Sequence, residues 1–380
     1  MNILLTNFHR GWGGQPACVL MLAGGLAERG QQVTIAAPPG SMLAERARAA
    51  GLRTFESLAF RKTKYLGGAL RDAFRLADHL RAARYDLINA QGSQDLWTAV
   101  AARRLSGQTL PLLFTRHNTK HIKPHAANRW LYRHQVDHLI AVSRSVIERY
   151  RPFLDAGSLT PERISVVHPA YRPDRFRTGL DGSGLRRELG VDSGTPIVGV
   201  IGRLVPDKGP DIFLRAAATV LAARPDARFV LTGTGTMEPE LRRLIGELGI
   251  AAAVRLLGFR DNVPEITTAL TISVLPAVDC DASSTVLKEA LACGVPVIAT
   301  DIGGAREIVL DGTTGLVVPP GDPGPLARAI LDLLADPARA RAMGSAGSRD
   351  VAARFTPERL AAGTLEVYEK VLAVFRSRSG

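Results

Sequence analysis

Short β-rich runs alternate with amphipathic helical stretches along this chain, and they do so twice. In the first series the expected strands are 2–8, 32–37, 86–90, 111–116 and 138–142. The stretch HPAYRPDRFRTGLDGSG, 168–184, rich in Pro, Gly and Arg, then breaks the rhythm and reads as a linker. A second series follows, with strands expected at 196–201, 228–232, 254–256, 271–275, 296–299 and 315–318. Helices are expected at 210–223, 239–248, 286–293 and 325–335, and a last one at 356–375. A strand followed by a helix must return parallel to its predecessor, so such alternation implies parallel sheets covered by helices. The α/β class follows, as two doubly wound Rossmann-like domains. Their expected extents are 1–170 and 171–355, with 356–380 a C-terminal helix expected to pack back on the first domain. In such sheets ligands bind at the C-terminal ends of the strands, so two facing domains are expected to hold their ligands in an interdomain cleft.

Length and composition agree with this reading. A chain of 380 residues, 46% hydrophobic and 22% charged, can bury two ordinary cores. No apolar run approaches the roughly 18–20 residues of a membrane span. The first residues, MNILLTNF, read as a strand and not as a signal peptide. Cys18, Cys280 and Cys293 have the spacing of neither a disulfide framework nor a zinc site. A reduced, cytoplasmic protein is expected.

Charge is unevenly divided. Residues 1–175 hold 25 Lys/Arg against 12 Asp/Glu and all eight histidines, while 176–380 hold 23 against 24. The net charge of +12 thus belongs to the first half. That half is expected to face something anionic, a membrane surface or nucleic acid, unless it is simply a basic soluble domain. No nucleic-acid recognition motif is present, and the aromatics do not alternate with cations as stacking platforms would. Within 60–84 a basic lead-in (Arg61, Lys62, Lys64) precedes Leu66, Leu70, Phe74, Ala77 and Leu80 at helical spacing. Such a stripe suits either an anionic membrane surface or a domain core.

Candidate site residues cluster at strand ends. GRLVPDKGP sets Arg203 and Lys208 in a loop after a strand, where two cations suit a diphosphate or are ordinary surface charges of a turn. Gly233 and Gly235 end the next strand, fitting close approach of a ligand or a tight turn. Gly258, Phe259 and Arg260 follow a third, where a base could rest or Phe259 could be core. DCDASSTVLKEALACG, 279–294, carries Asp281 before a helix and Glu289 inside it. Ser283, Ser284 and Thr285 are candidate N-caps, and Gly294 suits the C-cap. Two carboxylates there can accept from the two hydroxyl sets of a sugar nucleotide, or Glu289 can pair with a surface cation while Asp281 helps cap the helix.

In the first half, Gly11, Gly13 and Gly14 follow the first strand, but the second strand ends VTIAAPPG without the acid that a dinucleotide's ribose wants. That weakens an NAD(P) reading. His117 ends a strand, placed to donate to a sugar hydroxyl or phosphate or to move a proton. His117, His121 and His125 stand four apart, but Pro124 interrupts them and no acid or Cys accompanies them, so no metal is expected.

Taken in order, IGRLVPDKGPDIFLRA, FVLTGTG, VRLLGFRDNVPEI, VLKEALACGVPVIATDIGGAREIV and DGTTGLVVPPGD resemble the retaining glycosyltransferases of family 4, which have the two-domain GT-B fold. The match covers about 190–325. The first half is similar more loosely, through its glycine loop, His117 and VDHLIAVSRSV. The resemblance implies that Arg203 and Lys208 bind the donor diphosphate and that Glu289 holds the ribose hydroxyls, next to Thr285 and Val286. It implies that Asp281 and His117 contact the transferred sugar, and that Gly13 and Gly14 form a loop near phosphate and acceptor. It further implies retention without a metal, although Asp279-Cys280-Asp281 is the Asp-x-Asp pattern that binds a metal in the other major glycosyltransferase fold. The expected substrates are a nucleotide sugar, UDP-sugar favoured, and a lipid-linked or envelope glycan. The expected place is the cytoplasm, or peripherally the inner face of the cytoplasmic membrane. Two departures bear on the sugar: Asp281 stands where the family usually has Glu, and Ser283–Ser284–Thr285 replace a common Phe-Gly-apolar run. A GDP-mannose-dependent transferase and a sugar-nucleotide epimerase are the alternatives.

Overall fold

The computed structural model describes residues 1–60 and 66–379. The chain forms two compact units, one of Met1–Ala170 with Pro357–Gly380, the other of Tyr171–Thr356.

The first unit is built on seven parallel strands: β1 (Asn2–Thr6), β2 (Gln32–Ala36), β3 (Arg53–Phe55), β4 (Leu87–Ala90), β5 (Leu112–Arg116), β6 (His138–Ala141) and β7 (Ile164–Val166). They lie in the order β3-β2-β1-β4-β5-β6-β7. Every residue of β4, β5 and β6 is buried, as expected of strands covered on both faces. The helix Pro357–Ser379 belongs to this unit: Leu360, Val367, Tyr368, Val371 and Leu372 join the core of Ile3, Leu5, Val19 and Leu22. Gly25 lets that helix approach closely, since a Cβ there would lie 2.8 Å from the Ala361 Cβ. Buried in the same core, the Asn89 amide donates to the Tyr368 hydroxyl at 2.7 Å.

The second unit has six parallel strands: β8 (Ile197–Ile201), β9 (Arg228–Thr232), β10 (Val254–Gly258), β11 (Ile272–Leu275), β12 (Val297–Thr300) and β13 (Gly315–Val318). Their order is β10-β9-β8-β11-β12-β13. Apolar clusters cover both faces, one around Phe213, Phe229 and Ile330, the other around Leu287, Ile308 and Phe355.

In each sheet the order reverses once, between β1 and β4 and between β8 and β11. The loops leaving those strand pairs diverge and open a crevice.

Several elements depart from the sequence reading. β3 and β7 are three-residue strands that it lacks. A helix, Ser183–Leu189, begins inside the expected linker, and an 18-residue helix, Pro337–Arg354, follows the last strand. The stripe expected on 60–84 is divided between two faces of the helix Leu66–Ala82. Ala77 and Leu80 are core, while Leu70 and Phe74 are 55% and 53% exposed. The cations Arg61, Lys62 and Lys64 lie outside the described residues. No helix among the described residues is long and apolar enough to cross a membrane.

Candidate functional site

In the second unit, the loops at the reversal point carry the residues singled out in the sequence. After β8 the chain turns through Gly202 and Arg203 into a 3-10 turn, Pro206–Lys208. After β11 it runs through Pro276 to Ser284 before the helix Thr285–Ala292. The two loops are locked together. The Asp207 carbonyl accepts from the amides of Val278 and Asp279 at 3.0 and 3.3 Å. Gly209, at φ 59°, fits only without a side chain, because a Cβ there would overlap the Pro276 carbonyl. This docking brings the Lys208 ammonium to 2.7 Å from the Asp281 carboxylate, with Asp281 buried. The sequence reading placed both residues at the site but did not pair them. Arg203 is exposed and makes no ion pair among the described residues.

Glu289 sits in the second turn of Thr285–Ala292, partly buried, with no hydrogen-bond or salt-bridge partner among the described residues. The surface-cation pairing left open for it is therefore not made. Burial pushes its carboxyl up to about 7, against the opposing pull of Arg175, Lys288 and Arg172. A carboxylate that is surrounded by cations yet bonded to none is prepared to accept from a ligand's hydroxyls.

Because the folded-state pKa lies above the ordinary value of 4.5, the folded protein must give up a proton at a cost as pH rises through about 7. The unliganded Glu289→Gln protein is thus expected to be more stable than wild type at pH 8, by at most about 3 kcal/mol, with the gap closing toward pH 5. Thermal melts across that range check it; a constant gap at every pH would contradict the burial of an ionisable Glu289.

Lys288 was not foreseen. Lys288 is fully buried, its ammonium donating to the Ser283 hydroxyl at 2.8 Å and lying 4.7 Å from the Phe355 ring centre. Its signal was available: a lysine amid the apolar residues of VLKEALAC needs a specific partner. Ser283 consequently does not cap the helix. The N-cap is Ser284, whose hydroxyl makes no capping bond, so the expected side-chain cap is absent. Thr285 and Val286 form the first turn, both partly buried. Gly294, at φ 77°, takes the left-handed position after the helix.

The remaining loops differ in character. Gly233 answers to its own fold: a Cβ there would overlap the Gly202 carbonyl, so the glycine lets the loops after β8 and β9 pack backbone to backbone. Gly258, at φ 67°, ends β10. Phe259, next along, is 72% exposed and is not core. Arg260 is occupied by an ion pair with Glu188 and a bond from its Nε to the Leu257 carbonyl.

In the first unit, Gly13 and Gly14 are exposed at the start of the helix Gly14–Glu28, and a Cβ at Gly13 would meet nothing within 4 Å. His117 follows β5, its Nε2 2.8 Å from the Gln91 side-chain oxygen. The Gln15 amide donates to the Gln91 carbonyl, and His9 lies 3.2 Å from Gln15. Burial, then the charges of His9 and Arg116, lower His117 to about 3. Near neutral pH the ring is therefore uncharged: Nε2–H donates to Gln91 and Nδ1 can accept. Beside it Asp95, fully buried, accepts from Thr6 and from the amides of Gln91 and Gly92, which fixes the loop after β4. Gln91, Gln15 and Asp95 escaped the sequence reading because nothing in their local pattern marks them.

Among the described residues, no group of three or more His, Cys, Asp or Glu side chains could hold a metal ion.

Comparison with known proteins bears on this arrangement. Residues 183–350 match the profile of glycosyl transferases group 1, and 12–175 that of Glycosyltransferase Family 4. A D-inositol 3-phosphate glycosyltransferase of Thermobispora bispora is 33% identical over 316 residues, covering 76% of this chain and 71% of its own. A GDP-mannose-dependent monoacylated alpha-(1-6)-phosphatidylinositol monomannoside mannosyltransferase of Corynebacterium glutamicum is 40% identical over 189 residues, 48% of this chain and 49% of its own. Among solved structures, Anabaena HepE in complex with UDP superposes with a TM-score of 0.83 at 22% identity, covering 97% of this chain and 100% of that one. Sucrose-phosphate synthase of Thermosynechococcus elongatus gives 0.80 at 23% identity, covering 98% and 99%. These two likenesses establish the GT-B fold, and the sequence matches establish the family: this chain belongs to the family 4 glycosyltransferases.

Proposed function

We propose that the chain moves a hexose-type sugar, with retention of anomeric configuration, from a nucleotide sugar to a hydroxyl of a lipid-linked or envelope glycan. The observation that carries this reading is Glu289, a half-buried carboxylate with no partner among the described residues, on the helix that follows the loop of the Lys208–Asp281 pair. In this account Glu289 accepts from the ribose diol and Phe259 offers a face to the base. Arg203 and Lys208 neutralise the diphosphate, and the capless first turn at Thr285 and Val286 adds backbone N–H groups. Asp281, oriented by Lys208, reaches the transferred sugar. His117 is read as a contact of the transferred sugar, and Gly13 and Gly14 as a loop near phosphate and acceptor.

The chemical step balances without a protein base. The bond from the sugar's anomeric carbon to the diphosphate oxygen breaks, the acceptor oxygen bonds to that carbon on the same face, and the acceptor's proton passes to the departing phosphate oxygen. The chain's own contribution is charge stabilisation of the leaving diphosphate. Arg203 and Lys208 supply the charge that a metal would otherwise bring, so the reaction is read as metal-independent.

A UDP-sugar is the favoured donor, in keeping with HepE, whose structures hold UDP and UDP-glucose. The mannosyltransferase relative favours GDP-mannose as the second reading. The same relative and the inositol-phosphate transferase are named for anionic acceptors, which suits a first half carrying 25 Lys/Arg against 12 Asp/Glu. Leu70 and Phe74, exposed on one helix, are the apolar groups for peripheral contact with an anionic membrane.

Thermal-shift screening of UDP-, GDP- and dTDP-sugars tests the donor, since a ligand at 100 times its Kd adds about 2.7 kcal/mol to stability. Stabilisation by a UDP-sugar is expected, followed by NMR of the transfer product showing the donor's anomeric configuration. If no nucleotide sugar stabilises the protein, or the product is inverted, the proposal fails. Turnover of the sugar nucleotide alone would favour the epimerase.

A further inference from the structure

Lys288 is the one charged residue among the buried residues of the helix Thr285–Ala292, beside Leu287, Ala290 and Leu291. Desolvating an ammonium is costly whatever bonds it then makes, and an apolar side chain of similar length would fill the same place without that cost. The ammonium reaches back to the Ser283 hydroxyl at 2.8 Å and rests 4.7 Å from the centre of the Phe355 ring. An ammonium has hydrogens to give and no lone pair, so in this bond the Ser283 oxygen is the acceptor. The hydroxyl keeps its own hydrogen, and among the described residues nothing accepts it. A bond received from a cation polarises a hydroxyl and strengthens it as a donor.

Ser283 is half-buried, in the loop after β11 where the strand order reverses. Besides its bonds to Asp207, that loop is held by the Gly304 amide, which donates to the Asp281 carbonyl at 3.1 Å. Gly303, at φ 59°, makes this approach possible, since a Cβ there would overlap the same carbonyl. Two side chains of one braced loop are thus each held by a lysine, and they differ in hydrogen-bonding character. Asp281, ion-paired with Lys208, can only accept; Ser283, on Lys288, has a hydrogen to donate.

We infer that Ser283 is a specificity-determining contact of the transferred sugar, donating to one of its hydroxyl oxygens, and that Lys288 is the positioning residue that sets the direction of this bond. The inference rests on the transferase reading, in which Asp281 and its loop face the transferred sugar. It deepens that reading: the sugar must give a hydrogen to Asp281 and offer an oxygen to Ser283. Lys288 thereby acts on the choice of donor without touching the sugar.

Sugar analogues separate the two polarities. At a position that receives from Ser283, fluorine can stand in for the hydroxyl as an acceptor and hydrogen cannot; at a position that gives to Asp281, neither can. The full chain is titrated by calorimetry with UDP-glucose and GDP-mannose, and with deoxy and deoxyfluoro forms of each at every sugar hydroxyl; UDP and GDP are the controls. One position is expected at which the deoxyfluoro analogue binds at least about threefold more tightly than the deoxy one. Ser283→Ala and Lys288→Met are each expected to erase that preference and to weaken the parent nucleotide sugar about three- to tenfold. Both should leave affinity for the bare nucleoside diphosphate unchanged. The double variant should bind no more weakly than either single one, because all three proteins lack the same bond. Ser283→Thr keeps the hydroxyl and should keep the preference.

A lysine that only held the loop would weaken the bare nucleotide and the nucleotide sugar together, and that result overturns the inference. So do additive losses in the double variant, a fluorine preference that survives Ser283→Ala, or no such preference at any position. Where Ser283→Ala strands the buried ammonium and lowers stability, the double variant, apolar at both places, carries the comparison. Any of these results in a protein that binds UDP-glucose or GDP-mannose overturns this inference alone. Failure of the wild type to bind either one overturns the donor reading and this inference with it.

Discussion

Glu289→Ala is expected to remove nucleotide-sugar stabilisation and to lower kcat/KM by about 10²–10⁴, while the protein stays folded. The size follows from two hydrogen bonds between a carboxylate and the ribose diol, each worth about 1.5–3 kcal/mol when one partner is charged. Retention of fold follows from the geometry: the carboxylate has no partner to lose among the described residues, and burial already penalises its charge. Glu289→Gln separates charge from shape. It keeps one acceptor oxygen and is expected to lose less than Ala, and the wild type's gain in donor affinity as pH rises through about 7 should vanish with it. Calorimetric titration of both variants with the donor reads all of this. Near-normal binding by Glu289→Ala would sink the assignment of the ribose site.

The parts of this site that were legible in the sequence are those with local signatures. All six strands of the second unit were readable because each is a β-rich run between turn residues. Arg203, Lys208 and Phe259 could be singled out because each follows such a run. What could not be read depends on strand order. Lys208 and Asp281 are 73 residues apart, and only the adjacency of β8 and β11 brings their loops together. β3 and β7 are short edge strands, too brief to show a period. The helix Pro337–Arg354 is rich in Ala, Gly and Arg and has little amphipathic contrast, so its packing against the rest of the unit, and not its pattern, makes it a helix.

Arg203 and Lys208 are expected to cost about the same in rate and very different amounts in stability. Each supplies one charge to the departing diphosphate, and by analogy with a lost oxyanion-hole donor its removal lowers kcat by about 10²–10³, or ~2.7–4 kcal/mol. Arg203 is exposed and without an ion-pair partner among the described residues, so Arg203→Met should melt as wild type does. Lys208→Met strands the buried Asp281 carboxylate and should lose about 1–3 kcal/mol of stability, between the values for exposed and buried pairs. Adding Asp281→Asn removes the stranded charge, so the double variant should regain most of the melting temperature and none of the rate. Steady-state kinetics and thermal melts on the four proteins decide between two roles for Lys208. Recovery of rate together with stability in the double variant would make the pair a structural clamp between the loops after β8 and β11, and would leave the leaving group to Arg203 alone.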